Sequence, residues 1–72
     1  MNQTMDDLQA KVQRTLMNDS RTKEYGVEVL DNNGIIILRG VAPSHEVRDT
    51  IEAIVRGVDG VISVNNEMDV VT

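Results

Sequence analysis

The stretch Val27 to Val41, VEVLDNNGIIILRGV, narrows the fold more than any other part of the chain. Asn33-Gly34 is the preferred pair for a two-residue type I′ turn, because both central positions need positive φ and these residues tolerate it. The residues before it alternate apolar and polar from Tyr25 onward, with Tyr25, Val27 and Val29 on one face, and an apolar run follows, so two antiparallel strands are expected. With Asn33-Gly34 at the turn, Val29 falls opposite Leu38, Val27 opposite Gly40, Leu30 opposite Ile37 and Glu28 opposite Arg39. One face of the hairpin then carries Val27, Val29, Ile36 and Leu38, and the other carries a Glu28–Arg39 ion pair beside an apolar pair. The run Ile35-Ile36-Ile37-Leu38 breaks the usual alternation. Four consecutive apolar residues place two side chains on the face that should meet water.

Little else in the chain can cover that second face. The 72 residues make one domain, 1–72, and a chain of this size buries only about 60% of the surface it exposes when unfolded. There is no cysteine and one histidine, so neither disulfides, nor a thiolate zinc site, nor a multi-histidine cluster can staple it. Apolar residues make up 40% of the chain with Tyr25 as the single aromatic, so the core is built from Val, Ile, Leu and Met, enough for two thin layers. Twelve acidic against seven basic residues give a net charge of −5, which opposes approach to nucleic acid or an anionic bilayer except through a local basic patch. The N-terminus MNQTMDDLQA has neither the basic n-region nor the apolar h-region of a secretory signal, and no run reaches a membrane-spanning length. As a complete protein the chain would be expected in the cytoplasm.

The flanking segments read as two helices and one more strand. Thr4 as N-cap, with Asp6 and Asp7 near the positive end, starts a helix whose Met5, Leu8, Val12 and Leu16 share a face. It is expected to stop near Met17 or Asn18, with Asn18–Glu24 as a polar connector. Ser44 caps a second helix with Glu46 in its first turn; Val47, Ile51, Ile54, Val55 and Val58 share its apolar face, and Gly57 or Gly60 closes it. Ile62, Val64, Met68 and Val70 then keep period two, which predicts a third strand over Val61–Val71. Asn66 falls in a core-facing slot, where a buried hydrogen bond is expected, and Asn65-Asn66-Glu67 reads as a strand irregularity or polar edge. The crossover through the second helix makes the third strand parallel to the second. The expected fold is α+β, a two-layer αββαβ sandwich with two helices on one face of a mixed three-stranded sheet. Leu30, Ile35 and Ile37 project from the open face.

Few residues suggest chemistry. His45 stands beside Glu46 and ahead of Arg48, but without an elbow motif or a paired acidic cluster it reads as a solvated first-turn histidine. Gly57-Val58-Asp59-Gly60 has the GxxG spacing of a nucleic-acid backbone clamp, yet it joins a helix to a strand and carries Asp59, which repels phosphate, so it reads as helix closure. Lys11, Arg14, Arg21 and Lys23 are the one concentration of positive charge that could meet lipid phosphates, but the simpler reading is favoured because acidic residues intervene: two complement the helix dipole and two keep a loop soluble. No motif calls for a cofactor, a metal or a small-molecule substrate, and no catalytic residue is assigned.

The sequence resembles the BON domain, the module named after bacterial osmotic-shock and nodulation proteins. The resemblance rests on Val27-Glu28-Val29, on Asn33-Gly34-Ile35-Ile36-Ile37-Leu38-Arg39-Gly40-Val41 and on Val58-Asp59-Gly60-Val61-Ile62-Ser63-Val64-Asn65-Asn66, and with the apolar first helix it spans nearly the whole chain. It implies an α/β sandwich of the order derived above, no enzymatic activity, and a bacterial envelope setting in which such domains contact phospholipid surfaces or other subunits. Together these readings predict a non-enzymatic binding or assembly module that contacts protein, a second copy or a neighbouring domain, through Leu30, Ile35 and Ile37. A peripheral phospholipid-binding domain is the alternative.

Overall fold

A computed structural model describes residues 8–71. Helix α1 spans Leu8–Asn18, strands β1 and β2 span Val27–Asn32 and Ile35–Ala42, helix α2 spans His45–Arg56, and strands β3 and β4 span Ser63–Asn66 and Asp69–Val70. The expected cap at Thr4, with Met5, Asp6 and Asp7, lies outside the described residues. From Leu8 onward α1 follows the spacing read from the sequence: Val12 and Leu16 are buried and Leu8 packs against them. Helix α2 begins as expected, with Ser44 Oγ accepting from the Val47 N–H at 3.2 Å. Gly57 caps its C-terminus in a right-handed conformation, and Gly60 supplies the positive φ of the following turn.

The hairpin has the expected register. Glu28 pairs with Arg39, Val29 with Leu38 and Leu30 with Ile37, around a turn in which Asn33 and Gly34 take φ of 53° and 92°. Strand β1 starts at Val27 rather than Tyr25. Gly40, opposite Val27, has φ of 145°, and a Cβ built on it would lie 2.8 Å from the Gly26 carbonyl oxygen. This kink in the backbone lies at the last pair of the antiparallel ladder, where a side chain on residue 40 would meet the neighbouring backbone.

The third strand is also interrupted. β3 pairs parallel with Ile35–Leu38 and β4 pairs parallel with Val41–Ala42, and the register resumes unchanged after the gap. Between them, opposite the Gly40 kink, the Met68 N–H turns away and donates to Asn66 Oδ1 at 3.1 Å. The sheet is therefore mixed and four-stranded, with the polar irregularity at Asn65-Asn66-Glu67 supplying the break. Both helices meet the sheet in one cluster formed by Val12, Leu16, Val29, Ile36, Leu38, Ala42, Ile51, Val55 and Met68. The connector after α1 is more ordered than its polarity suggested: Thr22 is buried, and its hydroxyl donates to the Leu16 carbonyl at 2.7 Å, satisfying an orphan acceptor at the helix end.

Candidate functional site

Alternation along β1 and β2 assigns the faces. Val29, Ile36, Leu38 and Ala42 are buried under the helices, which sends Leu30, Ile35, Ile37, Arg39 and Val41 to the other side. There Leu30 and Ile37 stand directly opposite each other and are half-buried, while Ile35 and Val41 are 41% and 55% exposed. Leu30 and Ile37 shield one another, so the expected patch is less exposed at its centre, and Val41 adds another exposed apolar side chain to this face beyond Arg39.

Arg39 stands within this strip, between Ile37 and Val41, and pairs with Glu67 beside it. Arg39 Nε lies 3.0 Å from Glu67 Oε1, and Asn65 Nδ2 donates to Glu67 Oε2 at 3.1 Å. The expected Glu28–Arg39 ion pair does not form, although the two residues are in register. The break between β3 and β4 brings Glu67 to the parallel side of β2, where Asn65 orients its carboxylate, and Arg39 turns to that better-placed acceptor. Both groups are exposed, so the pair contributes at most about 1 kcal/mol.

The basic residues do not form one patch. Lys11 and Arg21 border an open groove of about 680 Å³ between α1 and the end of α2, together with Asp19, Ile54 and Asp59. Lys23 lines a separate depression beside Met17 and Tyr25, and Arg14 is exposed on α1 and lines neither. Arg21 already holds Asp19: its Nε and Nη2 donate to the two carboxylate oxygens at 3.0 and 2.9 Å, and its backbone N–H donates at 2.8 Å. The side-chain hydrogen bonds, followed by the backbone one, lower the Asp19 carboxyl from 3.8 to about 2. A cation committed in this way, with Asp59 nearby, leaves little net positive field in the groove.

His45 is the exposed first residue of α2. Gly57–Gly60 forms the turn between α2 and β3 and presents Asp59 to solvent. Among the described residues no group of three or more His, Cys, Asp or Glu could hold a metal ion, and no helix is long and apolar enough to cross a membrane.

The structure adds a polar cluster that the sequence reading marked only at Asn66. Asn66 Nδ2 donates to Glu52 Oε1 at 3.1 Å and to the Arg48 carbonyl at 3.4 Å, and Arg48 Nη2 donates to the Asn66 carbonyl at 3.1 Å. Arg48 and Glu52 are four apart on α2 and therefore share a face, which was the available signal. Their contacts tie α2 to the end of β3, a structural arrangement rather than a reactive one.

The family model for the BON domain matches residues 4–72. Over 64 residues the chain is 38% identical to the outer membrane lipoprotein DolP of Haemophilus influenzae, an alignment that covers 88% of this chain and 33% of that protein. The chain thus spans about a third of the length of the curated relative it matches.

Proposed function

Because the chain belongs to the BON-domain family, we propose that it is a non-enzymatic docking module whose open sheet face contacts another protein surface, a second copy of itself or a neighbouring domain. The observation that carries this reading is the cluster of Leu30, Ile35 and Ile37, with Val41 beyond Arg39, on a face that no helix covers among the described residues. Contiguous apolar side chains at the surface of so small a domain gain free energy when a partner removes them from water. Arg39 within the strip, with Glu67 and Asn65 beside it, supplies polar groups of the kind that give such contacts orientation. Family membership and likeness to an outer membrane lipoprotein fit a binding module or an envelope-associated role.

A second reading, contact with a phospholipid surface, is favoured by Lys11 and Arg21, which both line the groove between the helices. The net charge of −5 and the commitment of Arg21 to Asp19 weigh against it. Sedimentation velocity over a wide concentration range, together with co-sedimentation on anionic vesicles, separates the two. For self-association through the open face, the parent should associate with concentration, Ile35→Lys and Ile37→Lys should remove that association while circular dichroism stays native, and vesicles should retain little protein. Vesicle binding released by high salt or by Lys11→Glu with Arg14→Glu would favour the lipid reading. A chain that stays monomeric and ignores vesicles would leave a neighbouring domain or another protein as the partner.

A further inference from the structure

We infer that Asn33-Gly34 is a deamidation site gated by the fold, with the Asp31 carboxylate as the latch that keeps it closed. It is the only Asn-Gly pair in the chain, and it sits at the exposed hairpin tip. Glycine is favoured at this position by its backbone: Gly34 has φ of 92°, and a Cβ there would also press on the Ile62 side chain, which would have to move aside. The fold therefore keeps, directly after an exposed asparagine, the backbone nitrogen with the least steric protection of any residue type.

In the reaction the Gly34 nitrogen gives up its proton and bonds to Asn33 Cγ. The side-chain nitrogen of Asn33 leaves as ammonia, carrying a proton, and a five-membered succinimide remains. Water then adds to either ring carbonyl and opens it, to aspartate or to isoaspartate. The net change is amide plus water to carboxylate plus ammonium, with no oxidant or reductant.

In the folded chain that nitrogen is occupied. Gly34 N–H donates to Asp31 Oδ1 at 2.9 Å, and the Gly34 carbonyl, in the next peptide unit, accepts from the Ile62 N–H at 2.8 Å, so the residue is held on both sides. While the first bond lasts, the proton stays on nitrogen and points at Asp31, and attack on Asn33 Cγ requires the turn to open. The two products differ in consequence. Aspartate keeps a turn-compatible Asp-Gly pair and adds one negative charge. Isoaspartate inserts an extra backbone carbon at the residue that sets the register, and a one-residue slip would exchange the faces of Ile37 and Leu38.

The test is peptide-map mass spectrometry, resolving aspartate from isoaspartate at position 33, on protein aged at neutral pH. Samples are the parent in buffer, the parent in urea, and Asp31→Ala, Asp31→Asn and Val55→Ala in buffer. The parent should deamidate about tenfold or more slowly in buffer than in urea, because only locally open molecules react. Asp31→Ala should react several-fold faster than the parent and faster than Val55→Ala, a core variant with an intact turn; Asp31→Asn, which keeps an acceptor oxygen, should stay close to the parent. Equal rates for the parent in buffer and in urea would overturn the gate. Asp31→Ala no faster than Val55→Ala would remove the latch, and a rate below the parent's would make the carboxylate a base that promotes attack. Should Asp31→Ala fail to fold, Asp31→Val, which also lacks an acceptor and suits a strand, takes its place in the comparison with Val55→Ala, and the urea comparison decides the gate independently.

Discussion

Ile37 and Leu38 are neighbours in the chain, and the pleat sends them to opposite sides of the sheet, so they test the assignment of faces residue by residue. Leu38 is fully buried under the helices, whereas Ile37 is half-buried against Leu30. Leu38→Ala should cost about 2 to 5 kcal/mol in urea unfolding, a large share of the stability of so small a domain, because the helices above it cannot collapse fully into the gap. Ile37→Ala should cost clearly less at low protein concentration; equal losses would mean the faces are exchanged. Asp19 offers a second residue-scale test. Its folded pKa, about 2, lies below the ordinary 3.8, so its contribution to stability is fully present above the ordinary value and is lost as pH falls through about 2. In a carboxyl NMR titration Arg21→Ala should return Asp19 toward 3.8, since the side-chain hydrogen bonds from Arg21 are the main cause of the shift. The burial of Leu38 was legible from period two, whereas Asp19–Arg21 was not, because a polar connector carries no periodicity to show which side chain meets which.

Among the elements, the hairpin and the two helices form where turn chemistry and apolar spacing indicated, and the third strand divides. Gly40 explains why. Its positive φ and its approach to the Gly26 carbonyl kink β2 at the point where the parallel ladder skips a step, so β3 and β4 flank the kink in a common register. Gly40→Ala therefore meets both an unfavourable backbone conformation and a backbone oxygen that cannot move aside like a flexible side chain. It should lower the urea midpoint by more than Ala42→Gly, whose small buried side chain leaves only a minor void. A midpoint for Gly40→Ala equal to the parent's would show that the kink relaxes without cost. Glycine inside a strand pattern is a signal of such an irregularity. The sequence by itself does not indicate that the cost of the irregularity falls on the partner strand, where Asn66 takes over the Met68 amide.

On the scale of the whole molecule, one cluster joins α1, both hairpin strands, α2 and Met68, so no part has a core of its own. Unfolding should be a single cooperative transition, with Tyr25 fluorescence, which reports on the α1–β1 connector, coinciding with helical circular dichroism. An early fluorescence change would show that the connector opens separately despite the buried Thr22. The sequence alone determined the element types, the hairpin register and the buried face, because apolar periodicity and Asn-Gly turn preference act between residues close together in the chain. Only the tertiary structure decided that Arg39 turns to Glu67 rather than Glu28, that Leu30 and Ile37 shield one another, that Lys11 and Arg21 share a groove while Lys23 does not, and that the last strand breaks at Glu67-Met68. Each of those outcomes is a competition in space between groups distant in sequence, settled by which acceptor or apolar surface the folded backbone brings nearest.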